Sequence, residues 1–185
     1  MSQWRRLLRI ALRTAPTHES PRMKMELIQP FINAADAVLG QSLRCRTSVG
    51  EVLMAEDTYQ RSGIAAQIGF TGDIEGRIIF DLAPATAAYL ASALSGTEIS
   101  AGDDMAKEAV LELANQVIGN AVTTLNNQGF RFKVLPPEVH LSTQGLSASH
   151  DTEALLMSFD TCGGTVFMNI AMRYTSQDEH AAVGA

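Results

Sequence analysis

The chain has 185 residues, 46% of them hydrophobic, and a formal net charge of −6. That length and apolar content predict one main domain with a sizeable core, and the acidic balance excludes a general affinity for nucleic acid. No apolar run approaches the roughly 18 residues that a membrane span needs.

Residues 1–22 carry five arginines and one glutamate, a local charge of +4 that leaves −10 for the rest. This basic amphipathic start has two readings: a helix for a membrane surface or a partner, or, the favoured one, an extension ahead of a true beginning at Met23 or Met25. With Pro16 and Pro21, residues 14–22 read as a linker. Residues 26–41 follow as an amphipathic helix, with Leu27, Ile28, Phe31, Ile32, Ala35, Val38 and Leu39 at helical spacing. Pro30 lies near its start and Gly40 is the expected stop. A partly exposed strand is predicted over 45–54 and a polar turn over 55–62. Two runs rich in Ile, Ala and Phe, 63–70 and 76–82, flank Thr71-Gly-Asp73 and read as a β-hairpin. A short helix over 84–94 has Pro84 in its first turn and Gly96 past its end.

The long helix predicted over 105–128 places Val110, Leu113, Ala114, Val117, Ile118, Ala121 and Leu125 on one stripe. Asp103 and Asp104 are its N-cap candidates, putting negative charge at the positive helix end. Strands are expected over 130–135, 138–141, 153–160 and 165–174, with Pro136 and Pro137 breaking the first from the second and Cys162-Gly-Gly164 turning the last hairpin. The tail after 175 is polar, then small. The order predicts an α+β domain: a mostly antiparallel sheet with hairpins and two long amphipathic helices packed on it. The two hairpins give a faint internal echo, without a residue-level repeat.

Much familiar chemistry is missing. His18, His140, His150 and His180 are scattered, and neither HExxH nor paired Cys-x-x-Cys occurs, so no metal site is expected. Cys45 and Cys162 have no metal or redox spacing, and a reduced cytoplasmic protein is the simple reading. Gly72-x-x-x-Gly76 lacks the lysine and hydroxyl of a phosphate loop and is assigned to shaping the hairpin. No Gly-x-Ser-x-Gly elbow accompanies His150-Asp151. What stands out instead is the polar side of the long helix. Glu108, Glu112, Asn115 and Gly119 lie within roughly 60° of one another, about half a turn from the apolar stripe. Glycine there costs a helix roughly 1 kcal/mol relative to alanine, and its missing side chain would let a partner surface come close. Taken alone, exposed Glu and Asn on an amphipathic helix are ordinary solvent-face residues.

Glu112-Leu-Ala-Asn115 on a long helix, with Pro137 after 21 intervening residues, resembles the signature of the CheC/CheX/FliY family of chemotaxis phosphatases. The opening helix from Met25 and the hairpin Gly72-Asp-Ile-Glu-Gly-Arg-Ile-Ile-Phe-Asp-Leu resemble those of CheX-like members, and the similarity runs over roughly 25–175. Two departures stand out: the family usually has Asp or Ser where this chain has Glu108, and the spacing to the proline is about one residue short.

The resemblance implies a CheC-like fold, a cytoplasmic phosphatase domain over 23–176 with a basic extension (1–22) and a flexible tail (177–185), and a homodimer that pairs through its sheets. The implied activity is dephosphorylation of the aspartyl phosphate of a CheY-type response regulator. No cofactor is bound by this chain; Mg²⁺ is supplied in the partner receiver domain. Asn115 would hold the attacking water and Glu112 would pair with the receiver's lysine. Glu108 and Gly119 would contact the partner at the rim, and Pro137 would shape a strand. Nucleic acid is not an expected partner, and membrane contact is not favoured. The alternative is a non-catalytic receiver-binding or adaptor module on the same scaffold.

Overall fold

The computed structural model describes residues 25–55, 61, 63–141 and 154–175. The basic extension, most of the turn expected over 55–62, the loop with His150 and Asp151, and the tail lie outside the described residues.

Among the described residues three helices and seven strands follow in the order α1 (Met25–Leu43), β1 (Ser48–Ala55), β2 (Ile64–Gly72), β3 (Ile74–Leu82), α2 (Pro84–Ser95), α3 (Asp104–Asn127), β4 (Phe132–Val134), β5 (Glu138–His140), β6 (Ala154–Thr161) and β7 (Gly164–Tyr174). The strands form a single sheet in the order β1-β6-β7-β3-β2-β4, with β5 also on β2. Every pairing is antiparallel. The two hairpins meet at β3 and β7, in register from Ile74 opposite Tyr174 to Leu82 opposite Val166. The echo read in the sequence therefore emerges as two three-strand halves, β1-β6-β7 and β3-β2-β4, placed side by side.

Side-chain alternation decides which face of the sheet carries the helices. Ile64, Ala66, Ile68 and Phe70 on β2, Ile78, Phe80 and Leu82 on β3, and Val166, Met168, Ile170 and Met172 on β7 point one way and merge with the helices into the core. Phe31 of α1 stacks on Phe70 of β2 at 6.0 Å between ring centroids. The other set of positions includes Arg77, whose guanidinium donates to the Asn169 side-chain oxygen at 2.8 Å.

Gly72 and Gly76 do shape the first hairpin, both at positive φ, 139° and 153°. A Cβ on Gly76 would sit 2.1 Å from the Ala171 carbonyl oxygen, at the seam between the two halves of the sheet. Backbone oxygen cannot step aside as a flexible side chain can. Gly76→Ala should therefore lower unfolding stability by about 3 kcal/mol, read as a reduced denaturant midpoint with unchanged m-value; an unchanged midpoint would refute the reading. Pro136 and Pro137 separate β4 from β5 on the edge of β2, where missing N–H donors cost nothing.

Two expectations are corrected. The first helix does not stop at Gly40 but runs to Leu43, because Leu43 is buried in the core; Arg44, at φ 52°, takes the left-handed position after it. Cys45 and Cys162 are not independent thiols: they form a disulfide across 117 residues, with 6.3 Å between Cα atoms. Sequence spacing could not reveal the pair, since the fold alone brings the end of α1 to the β6–β7 turn.

Candidate functional site

Helix α3 begins with Asp103 as N-cap, its carboxylate accepting from the Met105 N–H at 2.9 Å. Asp104 takes the first turn and binds Lys107 at 2.6 Å; that hydrogen bond, with the lysine's charge, holds its carboxyl below the usual value. All seven residues of the predicted apolar stripe are buried, and α3 packs on α1, α2 and β2. With that side fixed in the core, the opposite side has only one way to face. Glu108, Glu112, Asn115 and Gly119 are all exposed, as the helical spacing requires.

The four do not share one environment. Glu108 and Glu112 line an open groove of about 340 Å³ between the start of α3 and the end of α2, together with Ala91, Leu94, Ser95, Met105 and Ala109. Leu94 and Met105 form its apolar lips, 42% and 41% exposed. Among the described residues the only charges lining the groove are the two carboxylates, so it suits a partner segment that places a cation beside an apolar side chain. Asn115 and Gly119 lie beyond it, further along the ridge. Among the described residues nothing hydrogen-bonds the Asn115 carboxamide. Glu112 is different: Gln116, one turn on, donates to its Oε1 at 2.6 Å. The Glu-to-Gln spacing of four was legible in the sequence but not read there; the groove, built from two helices, was not legible at all.

Among the described residues nothing packs where a Gly119 side chain would be. A Cβ there would meet nothing within 4 Å, and the helix continues through it, its carbonyl also accepting from the Thr123 hydroxyl at 2.8 Å. Pro137 stands between β4 and β5, off α3. Among the described residues no group of three or more His, Cys, Asp or Glu side chains could hold a metal ion, and no helix is long and apolar enough to cross a membrane.

The antiparallel sheet with helices packed on it is the fold of CheC-like superfamily structures. A CheC-like superfamily protein from Shewanella sp. PV-4 superposes with a TM-score of 0.75 at 21% identity, covering 82% of this chain and 99% of that one. Residues 64–160, just over half of the chain, match the family model described as chemotaxis phosphatase CheX, and the chain belongs to that family. A CheX from Borrelia burgdorferi, solved as a complex with CheY, BeF₃ and Mg²⁺, is 31% identical, with a TM-score of 0.66 over 81% of this chain and 99% of that one. The CheY-P phosphatase CheX of Thermotoga maritima is 36% identical over 73 residues, which are 39% of this chain and 47% of that protein. The chain thus spans about half the length of this curated relative.

Proposed function

We propose that this chain hydrolyses the aspartyl phosphate of a CheY-type response regulator by inserting the α3 ridge into the regulator's own pocket. The observation that carries this reading is that Glu112 and Asn115 project together into solvent, one turn apart, from a helix whose other side is locked in the core. Asn115 holds a water opposite the aspartyl oxygen. A carboxamide suits that task because it both accepts and donates without changing protonation. The water attacks phosphorus in line, the P–O bond to the aspartate breaks, and the carboxylate leaves; positioning supplies most of the acceleration. Glu112 draws the receiver's phosphate-site lysine to itself, exchanging the Gln116 hydrogen bond for an ion pair. Glu108 and the lips of the groove take the adjoining rim of the receiver. Mg²⁺ belongs to the receiver, where it neutralises phosphoryl oxygens. The working unit is 23–176, paired with a second copy through its sheet, in the cytoplasm where receivers are phosphorylated.

Gly119 marks the closest approach of the partner. Gly119→Ala should raise the stability of the free chain by about 1 kcal/mol while raising KM for the phosphorylated receiver. Higher stability with an unaltered KM would remove Gly119 from the interface.

The test of the activity is the decay of phosphorylated receiver domains in Mg²⁺ with and without the purified chain. The reading predicts faster decay of at least one CheY-type receiver. The second reading, a receiver-binding adaptor, is favoured by Glu108 in place of the family's usual Asp or Ser and by the Gln116 hold on Glu112. It predicts binding to the phosphorylated receiver with no change in its decay.

A further inference from the structure

The Cys45–Cys162 bond joins two segments that the sequence keeps 117 residues apart. Cys45 is half-buried and follows α1; Cys162 is exposed in the two-residue turn between β6 and β7. The backbone N–H of Cys162 lies 3.4 Å from the Cys45 sulfur. The turn is seated on α2: the Tyr89 hydroxyl donates to Cys162 Sγ at 3.7 Å, a Cβ on Gly163 would strike the Tyr89 ring at 2.2 Å, and one on Gly164 would strike the Thr86 hydroxyl at 2.4 Å. Leu94 and Ser95, farther along the same helix, line the groove beside Glu108 and Glu112. The disulfide thus holds a turn that rests on Thr86 and Tyr89 of α2, the helix whose far end walls the groove. Exposed Arg44 and Arg46 flank Cys45, setting positive charge beside an accessible disulfide.

We propose that Cys45 and Cys162 form a reversible disulfide, exchanged with an anionic low-molecular-weight disulfide of the glutathione class, and that closing it fastens the α2 wall of the receiver groove. The coupling to the groove rests on the phosphatase reading above; the exchange itself does not. The exposed Cys162 thiolate attacks one sulfur of the small disulfide and a small thiolate leaves. The Cys45 thiolate then attacks the Cys162 sulfur of the mixed disulfide and releases the second small thiolate. Two protein thiols are oxidised, one small disulfide is reduced to two thiols, and the two protons pass to the released thiolates. Closing so long a loop strongly restricts the unfolded chain, and the open form should melt lower by roughly 10 °C.

The test equilibrates the full chain with glutathione and glutathione disulfide at a series of ratios. Alkylation and intact mass read the thiols, hydrogen exchange reads the α2 amides, and decay of a phosphorylated receiver reads the site. The expected result is a graded change from alkylated to protected cysteines, with faster α2 exchange and weaker acceleration of decay in the reduced protein. The double variant Cys45→Ser/Cys162→Ser should match reduced wild type at every ratio, and reduced wild type serves alone if the variant does not fold. Cysteines that stay alkylated at every ratio overturn the proposal. So does a disulfide that forms and leaves α2 exchange unchanged, or one that leaves the acceleration of decay unchanged where the chain does accelerate it. If neither redox state accelerates decay, the phosphatase reading falls instead, and alkylation and exchange alone judge the disulfide.

Discussion

Asn115→Ala should slow receiver dephosphorylation by roughly a hundredfold or more in kcat, because a water that is no longer held in line forfeits most of the advantage of positioning. Its side chain is exposed and unengaged among the described residues, so truncation leaves no cavity and no orphaned partner. Alanine is also the better helix former, by a few tenths of a kcal/mol. The variant should therefore melt at or slightly above the wild-type temperature and bind the phosphorylated receiver with nearly unchanged KM. Single-turnover decay with saturating variant, read beside its melting curve, separates the two effects. Wild-type kcat in a folded Asn115→Ala protein would remove the amide from the mechanism.

Glu112→Ala should act on a different constant. If the Glu112 carboxylate meets the receiver's lysine in a site closed to water, removing it strands that cation. Such truncations cost about 2–5 kcal/mol, or roughly thirty- to several-thousand-fold in affinity. KM should rise by that order and kcat should fall as well, since the lysine would return to the phosphoryl group. The stability of the free chain should hardly move, because among the described residues the only side-chain hydrogen bond lost is the exposed one from Gln116. Glu112→Gln should fall between, keeping the shape without the charge. Unchanged KM in Glu112→Ala, measured at constant ionic strength, would show that the carboxylate does not meet the receiver.

What could be read from the chain follows from the range of the forces involved. Helix α3 was legible almost residue by residue, because one period of 3.6 governs both its buried stripe and its exposed ridge. Each of Val110, Leu113, Ala114, Val117, Ile118, Ala121 and Leu125 is in the core. The hairpins were legible for a similar reason, with turn residues such as Gly72 and Gly164 standing between apolar runs at the positive φ such turns favour. Gly40 misled, since its intrinsic cost in a helix is small beside the burial of Leu43 three residues on. The groove and the disulfide were beyond any local pattern. Leu94 and Met105 become neighbours of Glu108 only when α2 packs on α3, and Cys45 meets Cys162 only when the β6–β7 turn comes to rest at the end of α1. Half of the candidate site, the ridge, was therefore in the sequence; the other half, the groove wall that faces it, is a product of tertiary packing.

If α3 completes an active pocket owned by another protein, as proposed, the structure of this chain bound to a beryllofluoride-activated receiver will show it. The Asn115 carboxamide should stand within hydrogen-bonding distance of the in-line position beside the beryllofluoride, with Glu112 on the receiver's lysine and the backbone at Gly119 against the receiver surface. A complex in which the ridge faces solvent, or in which Asn115 and Glu112 point away from the phosphoryl site, would contradict it.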